Sequence, residues 1–115
     1  MKKIYFLKTC DTNMRILKSI NLDGFELQEI KTNPITVEEL DEMQKLSGSY
    51  EALFSRRAKK YKQMDLKNQE LSEKDYRQLI IDEYTFLKRP VIIIDDKIFI
   101  GNSKKNVENL QAAIN

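Results

Sequence analysis

The apolar positions of this chain change period along its length, and the changes mark its elements. Residues 3–8, KIYFLK, are β-branched, aromatic and aliphatic without a clean alternation, as in a short strand buried on both faces. From Thr12 the period lengthens. Met14 and Leu17, then Ile16 and Ile20, are spaced at three and four, predicting a helix with Gly24 just beyond its end. Residues 25–31, FELQEIK, alternate imperfectly and read as a second strand. Strand, helix and strand at this spacing predict a right-handed βαβ unit with parallel strands.

After the turn at Asn33-Pro34 the pattern turns helical. Thr36 with Glu39 forms a capping box ahead of Leu40, Met43 and Leu46, and Gly48 is the stop. Residues 49–62, SYEALFSRRAKKYK, read as a shorter helical piece. Residues 71–88 open with a second capping box, Ser72 with Asp75, and carry Tyr76, Leu79, Ile80 and Tyr84 on one face. Then VIII (91–94), Asp95-Asp96 and KIFI (97–100) form the signature of a tight antiparallel hairpin. Val107, Leu110 and Ile114 mark a closing helix.

Composition narrows what such a chain can do. Its 115 residues suit one domain, 1–115, and 41% hydrophobic with 33% charged residues is a globular composition. A net charge of +2 gives no reason to expect nucleic acid or a membrane surface as partner. The single cysteine excludes an internal disulfide and a multi-thiolate metal site. The absence of histidine removes both the commonest metal ligand and the usual base of a cysteine protease, so no metal is expected. The apolar run Ile4–Leu7 is shorter than the roughly 7–15 residues of a signal-peptide core. No stretch approaches the roughly 20 apolar residues of a membrane span. The expected compartment is the cytoplasm, where a lone thiol stays reduced.

That thiol, Cys10, falls where the first strand gives way to the first helix. A helix N-terminus carries about half a positive charge and several unpaired N–H groups, which favour a thiolate and also an incoming anion. Lys8 adds to this effect and Asp11 opposes it. Two readings stand side by side: a small buried hydrophobe, as free cysteines often are, or a reactive thiolate in a loop of polar residues. Farther on, SRRAKKYK (55–62) brings Arg56 and Arg57 together with three lysines and no acid. The lysines read as a solvated face, whereas guanidinium groups bind tetrahedral oxyanions in bidentate fashion. No aromatic platform or recognition helix accompanies the run, so direct nucleic-acid binding is not expected. Pro90, before the VIII strand, cannot donate to a ladder and marks the strand's start.

Taken together, FLKTCDT, the SRR segment and LKRPVIIIDDKIFIG resemble, in order and over nearly the whole chain, the arsenate reductase (ArsC), Spx and YffB-type family. The resemblance implies an α/β, thioredoxin-like fold. Its four-stranded mixed sheet would be flanked by helices, with an inserted helical region at about 36–86 between the second and third strands. It implies Cys10 as nucleophile, Arg89 as the arginine before a cis proline at Pro90, and Arg57 or Arg56 as the earlier oxyanion-holding arginine, with Arg57 the better match and Arg56, like Pro90, a further substrate-binding candidate. Thr12 and Asn13 would help to hold the anion through their amides.

No bound cofactor is implied; glutathione would serve as co-substrate, with glutaredoxin as a partner and a small oxyanion or a glutathione mixed disulfide as the species attacked. The His-Asn-Pro and Gly-Thr-Ser-Arg flanks of the arsenate reductase cysteine are replaced by Leu7-Lys8-Thr9 and Asp11-Thr12-Asn13-Met14, and Gly101 and Asn102 stand where a third arginine is expected. The Spx members imply an alternative, a regulator contacting the RNA polymerase α subunit. Asn13 excludes their Cys-x-x-Cys switch. Any Cys10 adduct would therefore be resolved by a thiol from outside the chain.

Overall fold

The computed structural model describes residues 1–114. It divides the chain into two compact units, one comprising Met1–Pro34 and the chain from Arg89 onward, the other Ile35–Lys88.

The first unit is built on a four-stranded mixed sheet of β1 (Lys2–Phe6), β2 (Glu26–Glu29), β3 (Val91–Ile94) and β4 (Lys97–Ile100), in the order β2-β1-β3-β4. β1 runs parallel to β2 and antiparallel to β3, and β3 runs antiparallel to β4. β1 and β3 are central, and Ile4, Tyr5, Val91, Ile92 and Ile93 are buried, as the continuous apolar run of β3 requires of a strand covered on both faces. Asp95 adopts a positive φ of 54° in the two-residue turn between β3 and β4, a conformation that Asp tolerates better than most residues.

Helices α1 (Asp11–Lys18) and α5 (Lys104–Ile114) complete the unit. Ile16, Leu17 and Ile20 join Ile4, Ile92 and Leu110 in one core cluster, where each full burial contributes about 1.5–3 kcal/mol. The apolar period expected of the first helix outruns it. Ser19 closes α1 through its amide and hydroxyl to the Ile16 carbonyl, and Ile20 reaches the core from the loop. Gly24, expected as the helix stop, instead takes φ of 81° in the turn that leads into β2.

The second unit contains α2 (Val37–Ser47), α3 (Lys59–Gln63), α4 (Glu73–Asp82) and three short 3-10 turns. Both capping boxes form: Thr36 with Glu39 starts α2, and Ser72 with Asp75 starts α4. Gly48 ends α2 in the left-handed region at φ 92°, where a side chain would be strained.

The piece expected to be helical over 49–62 is broken. Phe54 pairs with Leu87 as an isolated antiparallel bridge, the Ser55 amide donates to the Phe86 carbonyl (2.6 Å) and the Lys88 amide to the Leu53 carbonyl (2.8 Å). These long-range bonds draw Phe54 and Ser55 into extended structure and leave Arg56 and Arg57 in a turn. Likewise α4 stops at Asp82, and Tyr84 lies in a 3-10 turn rather than on the helix. Asp41 of α2 accepts two bonds from the Arg77 guanidinium and one from the Tyr50 hydroxyl, which together hold its carboxyl down to about 2.

Candidate functional site

Register fixes what meets at one end of the sheet. Phe6, the last residue of β1, pairs with Glu29, the last of β2, while Tyr5 pairs with Val91, the first of β3, and Val91 with Ile100, the last of β4. The loop Leu7–Cys10, the start of α1, the Arg89-Pro90 segment and Gly101 therefore lie at the same end of the first unit. Crevices outside the carboxyl ends of such strands are where open α/β sheets bind ligands.

Cys10 is the N-cap of α1, partly exposed, with extended backbone angles and no hydrogen bond from its side chain to the helix amides. Its carbonyl accepts from Met14, the first bond of the helix, and its own amide donates to the Leu7 carbonyl (3.1 Å). Among the described residues no hydrogen-bond acceptor is assigned to the amides of Asp11, Thr12 and Asn13, so the first turn of α1 keeps its N-terminal donors unspent.

Two side chains hold this turn, and neither role is evident from sequence. Asn13 is fully buried. Its Oδ1 accepts from the Leu7 amide (2.9 Å), which ends β1 at Phe6 rather than at the expected residue 8, and its Nδ2 donates to Cys10 Sγ (3.3 Å). Glu29 acts from β2. Its carboxylate accepts from the amides of Lys8, Lys31 and Thr32 and from the Thr32 hydroxyl. Burial pushes this carboxyl up, but the four donors outweigh burial and hold it below its ordinary 4.5.

A depressed acid supports the loop when ionised. That support is complete above the ordinary value and is lost as pH falls through the lower folded value. Glu29→Ala is accordingly expected to speed amide exchange at Lys8, Lys31 and Thr32 at neutral pH. Unchanged exchange at all three would show that the carboxylate does not hold the loop.

Of the other residues expected in the site, Pro90 is buried and its bond to Arg89 is cis. Its carbonyl accepts from the Gly101 amide (2.9 Å), and Asn106 Nδ2 holds the Gly101 carbonyl (2.8 Å), so the strand ends here are tied to α5. Arg89 is partly buried in the same unit, and Thr12 sits in the first turn of α1. Arg56 and Arg57 belong to the second unit. The Arg56 guanidinium is occupied by Glu51 (2.9 Å) and the Tyr76 hydroxyl (3.1 Å), whereas that of Arg57 is exposed and makes no hydrogen bond or ion pair among the described residues. No cluster of metal-ligating side chains occurs among the described residues, and no described helix is long and apolar enough to cross a membrane.

A βαβ unit followed by a β-hairpin and helix, with the thiol at its first strand-to-helix turn, defines a thioredoxin-like α/β protein. The chain belongs to the ArsC family, which it matches over residues 5–110. Solved structures share the fold. A YFFB protein superposes with a TM-score of 0.82 at 19% identity over 100% of both chains. The arsenate reductase of Vibrio cholerae does so with 0.77 at 17% identity, over 99% of this chain and 97% of its own. SACOL0876 from Staphylococcus aureus COL gives 0.74 at 28% identity, over 95% and 97%. No curated protein matches the chain.

Proposed function

We propose that the protein is a monothiol oxidoreductase of the arsenate reductase-like kind, in which the Cys10 thiolate attacks a glutathione mixed disulfide or a small oxyanion. The observation that supports this most is the place of Cys10: an N-cap whose sulfur is not spent on the helix amides and stands beside them at the ligand-binding end of the sheet. With glutathione disulfide, the Cys10 sulfur forms a new S–S bond and the disulfide bond of the substrate breaks. The released glutathione thiolate carries off the electron pair and takes a proton from water. A second external thiolate then attacks the mixed disulfide and returns Cys10 as thiolate, because position 13 offers an amide and no sulfur. The unbonded amides of Thr12 and Asn13, with Arg89 at the same end of the sheet, would hold negative charge as it develops.

Incubation with glutathione disulfide at neutral pH should give one glutathione adduct, mapped to Cys10 by peptide mass and removed by excess reduced glutathione. A protein that stays unmodified, or is modified but not restored, would defeat the proposal.

A further inference from the structure

We infer that Asn13 is a positioning residue for the Cys10 sulfur, the donor that takes the place a second thiol would occupy in a dithiol relative; the inference refines the monothiol reading above. The orientation of its carboxamide is fixed. Leu7 N–H, a donor, faces one side of the group and Cys10 Sγ the other. Only with Oδ1 toward Leu7 does the NH2 reach the sulfur; the flipped form would set two N–H donors against each other. The side chain is fully buried, so it has little freedom to swing away.

Position matters as much as contact. Asn13 is the third residue of α1, the place from which a capping-box side chain reaches back to the N-cap. Here it reaches the N-cap sulfur instead. An N–H donor binds a thiolate more strongly than a thiol, because the anion is the better acceptor. The same bond therefore favours Cys10 as attacking group and again as leaving group when an external thiol opens the mixed disulfide. It also aims the sulfur with one donor from within the fold and leaves the helix amides for the incoming anion. The charged groups at this end of the sheet include Lys8 and Asp11 beside Cys10, Glu29 from β2, whose oxygens are occupied by the loop amides, Lys31 after it, Arg89 ahead of β3, and Lys104 and Lys105 at the start of α5.

The test compares Asn13→Asp with Asn13→Ala, reading the rate of Cys10 alkylation by iodoacetamide at pH 7 in the full chain. Asp keeps an oxygen for the Leu7 amide but offers the sulfur no N–H; Ala removes both bonds without adding charge. Both variants are expected to alkylate at least about tenfold more slowly at pH 7, the scale of one hydrogen bond to a charged group. Asn13→Asp should do so with some loss of thermal stability, since it also buries a carboxylate.

If Ala slows the reaction and Asp does not, the role of Asn13 is to hold Leu7 and the inference is overturned. Rates within about twofold of the parent for both variants overturn it as well. Should Asn13→Ala fail to fold, the near-isosteric Asn13→Leu, which offers no donor and adds no charge, takes its place with the same expected slowing and the same overturning result. Alkylation needs no glutathione, so a protein that never forms the mixed disulfide would defeat the proposed function and leave this test standing.

Discussion

Cys10→Ser is expected to abolish adduct formation with glutathione disulfide while leaving the protein folded. The two halves of that expectation have separate causes. Serine keeps the size of the side chain but is far too weak a nucleophile at neutral pH to attack a disulfide. The fold should not suffer, because the cysteine makes no cap bond for serine to lose. Serine is among the preferred N-cap residues and can accept from the amides of the first helical turn, so a gain of up to about 1 kcal/mol is more natural than a loss. Denaturation curves beside adduct mass spectra would separate the effects. Residual modification of the serine variant would place the reactive group elsewhere, and there is no other cysteine to carry it.

The largest effect on stability is expected from Phe54→Ala. Phe54 is fully buried in the second unit, with the rings of Phe86 stacked at 5.0 Å and of Tyr76 and Tyr61 tilted at 4.9 and 6.1 Å. Its backbone is the one drawn into the bridge with Leu87. Truncation removes a large apolar transfer contribution, leaves a cavity and strips three aromatic neighbours of their partner, together about 3–5 kcal/mol. Because Arg56 and Arg57 follow in the turn that this bridge creates, their amide exchange should rise with the loss. A stability change below about 1 kcal/mol would mean that the ring cluster does not organise this unit.

Much of this fold is legible in the sequence where local chemistry and tertiary packing agree. The Asp95-Asp96 hairpin, the two capping boxes and the Gly48 stop are written in residues whose side chains or backbone freedom do the work on the spot. Legibility ends where a distant partner decides. Residues 54 and 55 leave the helical pattern because Phe86, Leu87 and Lys88 offer their backbone groups to residues 53–55. Ile20 continues the helical apolar spacing from beyond the helix because the core, not the helix, claims it.

The candidate site follows the same division. The thiol at a helix start is visible in FLKTCDT, since the change from apolar to polar residues marks the turn. Asn13 reads there only as the place where a second cysteine is missing. Its bridge from Leu7 to the sulfur depends on three-dimensional closure of the turn, though an Asn three residues after an N-cap is a signal that could have prompted the question. Glu29 gave no signal, because its donors come from Lys8 on one segment and Lys31 and Thr32 on another.

The central claim is that the fold makes Cys10 a better nucleophile than its local sequence does. It is tested most directly by the rate constant for reaction with glutathione disulfide at pH 7, measured for the protein and for a free peptide carrying Lys8–Thr12. The account predicts a protein rate at least about tenfold above that of the peptide, in keeping with thiols activated at helix N-termini; a protein rate equal to or below that of the peptide would contradict it.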